Sequence, residues 1–374
     1  MYSLRPMSAL IEIQRTRSPN PRPSELGFGR HFTDHMFVMD FERGRGWTGA
    51  RVIPYGPISL EPAASALHYG QTIFEGMKAF PDPSVRIRVF RLDDHLRRLN
   101  ESARTVCIPE VDVELTARGL RALLAVDADW MPEGEGTSLY IRPMIVATEP
   151  FLGVRPAERY LFCILLSPVG AYYASGSAPV RIWVEEKYTR AAPGGLGAAK
   201  TGANYAASLR AAEEAKARGF DQVLWLDAIQ HKHVEEVGTM NLFLCIDDEV
   251  VTPPLEGTLL RGMTRESALT LLRDWGVKVS ERRVSLEEIR VAHARGGLRE
   301  VFGTGTAAVV SPVGELGFVD GTLKIGDEAG PVAKRLKQAI CDIQYGRAPD
   351  RFGWMSPVGS LEDIPETKAA ARRA

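Results

Sequence analysis

An α+β fold in two domains is what this sequence predicts, and three observations carry the prediction. At 374 residues the chain exceeds the ~250–300 residues at which a single hydrophobic core stops growing. Its first half alternates period-two apolar runs with helical repeats, the pattern of helices packed on a largely antiparallel sheet. A stretch rich in Gly, Ser, Ala and Pro at 167–179 (SPVGAYYASGSAP) then interrupts that pattern, so a domain boundary is expected near residue 170.

Each element follows from local signals. Residues 35–41 and 51–53 flank the turn Arg43-Gly44-Arg45-Gly46 and predict a hairpin. The run 85–91 (VRIRVFR) alternates as a strand does. Residues 93–106 follow with Leu96, Leu99, Ala103 and Val106 at helical spacing. A second helix is expected over 113–126, then strands over 138–147 and 159–166. Past the connection come a strand at 180–185, a glycine-rich loop, and an alanine-rich helix over 203–218 that Gly219 closes. Strand-like runs follow at 222–226 and 240–246, with Asp247-Asp248 as a turn. Helices at 264–275, ended by Gly276, and at 286–294, opened by Ser285 and Glu288 as a capping box, complete the reading.

Composition narrows the function classes. With 45% hydrophobic residues, 25% charged residues and a net charge of -1, the chain has no global field to attract nucleic acid or an anionic membrane. No apolar run reaches the 18 residues of a membrane span. Cys107, Cys163, Cys245 and Cys341 lie far apart without Cys-x-x-Cys spacing, which fits a reducing, cytoplasmic setting. The arginine-bearing, acid-poor opening stretch reads as a loosely docked arm. Small, specific ligands are the expected partners.

Four segments carry candidate chemistry. The loop PGGLGAAKTGANY (193–205) sets Lys200 among small neighbours, so a bulky planar ligand can approach its amine, which is nucleophilic only when deprotonated. By itself such a loop more often carries a mobile surface lysine. In EEVGTMNLF (235–243) an acidic pair runs into an apolar strand. Glu235 reads as a solvated strand end, whereas Glu236 suits a pyridine ring nitrogen that must stay protonated. On a regular strand Glu236, Gly238 and Met240 share one face and Thr239 the other, unless Gly238 kinks the chain. LRGMTRE (260–266) opens a helix with Thr264 near its N-cap, an anion site or a plain cap, and GTGTAA (303–308) offers further donors or a simple turn. Arg91 is one of several cations able to meet a phosphate.

A resemblance decides among these readings. The strings LHYGQTIFEGMKAF (67–80), YIRPMIVATEP (140–150), LLSPVGAYYASG (165–176), AAKTGANYAASL (198–209), QVLWLD (222–227), EVGTMNLF (236–243), GMTRESAL (262–269), VSER (279–282), VFGTGTAAVVSPV (301–313) and DIQYG (342–346) run in unbroken order. Together they resemble the branched-chain aminotransferases, in the animal-type branch of that family. The resemblance implies the fold-type IV pyridoxal-phosphate fold: a small α+β domain with the N-terminal arm over 1–169, an interdomain loop over 170–180, and a larger cofactor-binding domain over 181–374. The larger domain is expected to be a mixed sheet or pseudo-barrel flanked by helices. A homodimer is implied, with the active site between the small and large domains.

The implied roles transfer residue by residue. Lys200 matches the Schiff-base lysine, Tyr205 the partner of the cofactor's phenolic oxygen, and Glu236 that of the ring nitrogen. Arg91, Met263, Thr264 and Thr306 match the phosphate ligands. Tyr69, Phe74, Tyr140 and Tyr172 match the side-chain pocket. Thr239 and Ala307 match the substrate-carboxylate site, and Arg142 the contact with glutamate's distal carboxylate. The implied reaction exchanges the amino group of leucine, isoleucine or valine with 2-oxoglutarate, giving 2-oxo acids and glutamate. Ala308 and Ser311 stand where animal members carry a Cys-x-x-Cys pair, so that thiol switch does not transfer.

Other readings have weaker support. D-amino-acid aminotransferase and aminodeoxychorismate lyase share the implied fold. GGLGAAKT with VLWLD imitates a P-loop nucleotide site, but Ala199 stands where a P-loop needs glycine. His231 and His233 share a strand face without a third metal ligand and read as strand-end histidines.

Overall fold

The structure is a computed structural model that describes residues 10–170, 178–364 and 367–369. In it the period-two runs of the first half become β1 (Ile11–Ile13), β2 (His35–Glu42) and β3 (Gly46–Pro54), then, after helix α1 (Ser65–Tyr69), β4 (Thr72–Phe74), β5 (Met77–Asp82) and β6 (Arg86–Phe90). Helices α2 (Leu92–Thr105) and α3 (Val113–Val126) precede β7 (Ser138–Ala147) and β8 (Arg159–Val169). The expected hairpin is β2–β3, paired antiparallel. Leu96, Leu99 and Ala103 of α2 and Leu120, Leu123 and Leu124 of α3 are buried in one cluster with Phe37, Val89, Ile141 and Phe162 of the sheet. Each large apolar side chain contributes roughly 1.5–3 kcal/mol on burial. The side chain of Asp112 caps α3 by accepting from the Leu115 N–H at 2.7 Å.

The second unit runs β9 (Val180–Val184), α4 (Gly202–Ala217), β10 (Gln222–Leu226), β11 (Val234–Val237), β12 (Met240–Ile246), β13 (Glu249–Thr252), α5 (Met263–Asp274) and β14 (Lys278–Glu281). It continues with α6 (Leu286–Ala294), β15 (Leu298–Gly305), β16 (Val309–Phe318), β17 (Gly321–Lys324) and α7 (Pro331–Gln344). Because β11 pairs with both β10 and β12, six strands close a ring in the order β11-β10-β9-β16-β15-β12. Closure leaves the ring without free edges. Ile182, Leu224, Val237, Leu242, Leu244 and Leu316 form the apolar cluster packed on it.

The last strands are β18 (Met355–Pro357) and β19 (Thr367–Ala369). They pair with β6 and β1, respectively, in the ten-stranded sheet of the first unit, which is antiparallel except where β1 meets β3 and β19. The two compact units are accordingly Met1–Ala171 with Gln344–Ala374, and Tyr172–Ile343. The expectation that everything from 181 to 374 forms one domain is corrected here. An edge strand satisfies its backbone wherever a partner edge is free, however distant in sequence. No helix among the described residues is long and apolar enough to cross a membrane.

Candidate active site

The glycine-rich loop before α4 is shaped by close packing. A Cβ on Gly197 would lie 2.3 Å from the Thr258 carbonyl oxygen, so only glycine lets the two loops meet. The side-chain amide of Asn204, in the first turn of α4, donates to the carbonyls of Leu196 and Ala199 at 2.8 Å each and ties the loop to the helix. Lys200 leaves this loop half-buried, and its Nζ donates to the Tyr205 Oη at 2.8 Å. The expected pair of lysine and tyrosine is thus in direct contact.

The acidic pair is arranged differently from an extended run. Val237 pairs with Met240 and Glu236 with Asn241, so residues 236–243 form a hairpin about Gly238-Thr239, with Gly238 at φ 59°. The shared face expected for Glu236, Gly238 and Met240 is replaced by that turn, and Thr239 stands exposed at its tip. Glu236 is 4% exposed. Its Oε1 accepts from the Asn241 side chain at 3.1 Å and from the Leu260 N–H at 3.0 Å, and its Oε2 lies 3.2 Å from the Arg190 Nε. Glu235 is not the solvated strand end expected. It is buried, accepts from the Thr258 hydroxyl at 2.6 Å, and is pushed above the usual carboxylate range by that burial.

Around this pair lie the other predicted segments of the unit. The Asn241 side chain also donates to the Leu260 carbonyl at 2.9 Å, fastening the loop that leads into α5. The N-cap of α5 is Gly262 rather than Thr264, without a side-chain cap, and Met263 and Thr264 are buried in the first turn. Such a turn presents N–H groups and positive dipole to an anion. Thr304 pairs with Asn241 across β12 and β15, and a Cβ on Gly305 would touch Met240 at 3.1 Å, so Thr306 and Ala307 follow a strand end packed against the hairpin. A half-buried lysine with a phenol partner, a buried carboxylate and an uncapped helix start fit the aldehyde, ring nitrogen and phosphate of the cofactor that the resemblance implies. A P-loop reading fails on Asp227, whose oxygens accept from the backbone N–H groups of Ile229, Gln230, Lys232 and His233.

In the first unit, Arg142 Nη2 donates to the Tyr140 Oη at 3.0 Å, and its guanidinium sits 4.6 Å from the Phe74 ring centroid. Two-residue spacing on β7 does bring Tyr140 and Arg142 together. Phe28 joins them edge-on at 4.9 Å from the Tyr140 ring, and a Cβ on Gly76 would lie 2.0 Å from the Tyr140 Oη. Tyr69, on α1, is 44% exposed, its hydroxyl donating to the Leu152 carbonyl. Arg91 caps α2 in a left-handed conformation and pairs with Asp94. Tyr172 lies outside the described residues.

Sequence reading missed Arg190 and Asn241, the partners of Glu236, and the buried trio of Glu75, His95 and Arg98. In that trio Glu75 accepts from Arg98 Nε at 2.7 Å and Nη2 at 2.8 Å and contacts His95 Nδ1 at 2.8 Å. The three-residue step from His95 to Arg98 on α2 was an available signal.

Known proteins are similar to this chain in sequence and in fold. The Amino-transferase class IV family matches residues 72–316. Branched-chain-amino-acid aminotransferase 2 of Bacillus subtilis is 51% identical over 354 residues, which is 94% of this chain and 98% of that protein. A probable branched-chain-amino-acid aminotransferase of Streptomyces coelicolor is 48% identical over 88% of this chain and 91% of its own length. The crystal structure of the Escherichia coli branched-chain amino acid aminotransferase superposes with a TM-score of 0.73 at 28% identity, covering 87% of this chain and 99% of that one. A second crystal structure, a branched-chain amino acid aminotransferase with pyridoxamine 5'-phosphate, superposes with a TM-score of 0.70 at 28% identity, covering 86% and 98%. The fold is therefore that of the fold-type IV enzymes, and the chain belongs to the class IV aminotransferases, in the branched-chain group.

Proposed function

We propose that the protein transfers the amino group of leucine, isoleucine or valine to 2-oxoglutarate, using pyridoxal phosphate carried on Lys200. The observation that bears most weight is the 2.8 Å contact of the Lys200 amine with Tyr205, in the unit that also buries Glu236 beside Arg190. Pyridoxal phosphate, once bound, supplies a sink for the electrons left at the substrate Cα. The Lys200 amine would hold the cofactor and, when free of it, would move the proton at the substrate Cα. Tyr205 orients that amine and meets the phenolic oxygen. Glu236 holds the proton on the ring nitrogen. The first turn of α5, through Met263 and Thr264, binds the phosphate with Thr306 and Arg91, whose guanidinium is then shared with Asp94.

Thr239 and Ala307 take the substrate carboxylate. Tyr69, Phe74, Tyr140 and Tyr172 accept the apolar side chain, and Arg142 the distal carboxylate of glutamate. A cation lying over aromatic faces serves both substrates, because the rings remain apolar walls when no carboxylate is present. We assign the protein to the cytoplasm on its four free cysteines, and assign Met1–Ala171 and Tyr172–Ile343 as its domains, with Gln344–Ala374 returning to the first.

Assembly as a homodimer is part of the same proposal. It is supported by the exposed side chains of Leu67, Tyr69, Leu152 and Val154, joined through the hydrogen bond from Tyr69 to the Leu152 carbonyl. Purified protein should be yellow, form glutamate from leucine and 2-oxoglutarate, and gain the mass of the reduced cofactor at Lys200 after borohydride. Cofactor mass on another lysine overturns the assignment. A Leu152→Asp/Val154→Lys chain should sediment at half the mass of the parent; an unchanged mass removes the dimer surface.

A further inference from the structure

We propose that Arg190 is a positioning residue for this reaction, a single guanidinium that holds Glu236 ionised and locks the lysine loop to the phosphate loop. The inference rests on the assignment of Glu236 to the ring nitrogen. Arg190 lies between β9 and the lysine loop, with its side chain 9% exposed. Its Nε is 3.2 Å from Glu236 Oε2, and its Nη2 donates to the Thr258 carbonyl and, at 3.5 Å, to the Gly197 carbonyl. Gly197 stands three residues before Lys200. Thr258 stands two before Leu260, whose N–H binds Glu236, and four before Gly262 at the start of α5. One side chain therefore contacts the lysine loop, the carboxylate, and the loop entering the helix start.

The chemistry favours arginine for this place. A guanidinium keeps its charge at every working pH and presents donors in a fixed plane, so it can serve a carboxylate and two carbonyls at once. A carboxylate as buried as Glu236 ionises readily only beside a permanent cation. Glu235 also faces Arg190, and the two charges attract, but burial drives Glu235 toward its neutral form and its Oε1 is committed to the Thr258 hydroxyl. Asp227 lies further along the same surface, held well below the usual carboxylate range. Burial there is outweighed by its backbone N–H donors. The cation is thus directed chiefly at Glu236.

The test compares wild-type, Arg190→Met, Arg190→Lys and Glu236→Gln proteins. Two readouts are used: the pH midpoint of the bound cofactor's visible absorbance, and the dissociation constant of pyridoxal phosphate from the apoprotein. Glu236→Gln should move the midpoint. Arg190→Met should move it in the same direction by about 1 unit, the smaller end of what one adjacent charge does to a carboxylate, and weaken cofactor binding about tenfold. In a chain carrying both Arg190→Met and Glu236→Gln, made as a fifth protein, the midpoint should go no further than in Glu236→Gln alone. An Arg190→Met midpoint equal to wild type, with Glu236→Gln shifted, overturns the role of Arg190. A wild-type midpoint in Glu236→Gln overturns the underlying assignment instead. Should Arg190→Met not fold, Arg190→Lys decides: it keeps the charge but not the fork, so cofactor binding weakens while the midpoint stays near wild type. Unchanged binding, or a midpoint displaced as far as in Glu236→Gln, overturns the inference.

Discussion

Glu75 in the first unit and Glu235 in the second are both buried, yet their carboxyl groups are pushed in opposite directions. Burial opposes ionisation of Glu75, but the two-pronged Arg98, its charge and the His95 contact outweigh it and hold the group far below the usual carboxylate range. Glu235 also bears a cost of burial, and the Thr258 hydroxyl with the more distant pull of Arg190 does not offset it, so burial wins and the group is raised. Depth in the protein does not set charge; the nearest permanent cation does. In the first unit the charges saturate one another and fix the step from β4 to β5 behind Phe74 and Tyr140. In the second, Arg190 joins Glu236 to the carbonyls of Gly197 and Thr258, next to the loop that carries Lys200.

If that contrast between a structural and a chemical cluster is right, Lys200→Ala has the largest effect. Transamination should fall at least ~10³-fold, within the range of lost proton transfer and covalent attachment. The melting temperature of the cofactor-free protein should barely change. Substantial turnover by the purified variant breaks the contrast.

Arg98→Met should cost about 3–5 kcal/mol in denaturant unfolding, the usual penalty for leaving a buried carboxylate without its cation. It also reverses the pH behaviour. The lowered folded-state pKa of Glu75 contributes stability that is present above the unfolded carboxylate value and lost as pH falls through the folded one. The variant should lose that acid-side slope. A wild-type stability profile for Arg98→Met would place Glu75 outside any structural role.

Arg142→Met sharpens the boundary between the clusters, because Arg142 is charged but is proposed to serve substrate recognition. Its kcat/KM for 2-oxoglutarate should fall about 10–100-fold, the worth of a hydrogen bond to a charged group, while that for leucine falls far less. Equal losses would remove the dual-use pocket.

The smallest effect belongs to Glu235→Gln, at under about 1 kcal/mol near neutral pH. With its folded pKa raised, Glu235 contributes stability in acid that is lost as pH rises from the unfolded value through the folded one. The glutamine variant should therefore be flatter with pH on that side. A steeper profile means that Glu235 is ionised and paired.

Much of this was legible because the signals are local. The spacing of Leu96, Leu99 and Ala103 predicts α2, the run 138–147 predicts β7, and two-residue spacing places Tyr140 with Arg142. Strands β15 and β16 had no such signal, since they are buried on both faces and their apolar runs do not alternate. The turn at Gly238-Thr239 joins two strands that are each buried throughout and do not alternate, so the hairpin that completes the ring was hidden too.

By itself the sequence determined the α+β class, most helices, the lysine loop and, through resemblance, the chemistry, because these depend on periodicity and on residues close together in the chain. Only the tertiary structure decided that β11 closes a six-stranded ring, that the last strands return to the first sheet, and that Arg190 reaches Glu236. Backbone edges and buried charges take whichever partner space brings to them, and a linear pattern does not encode that distance.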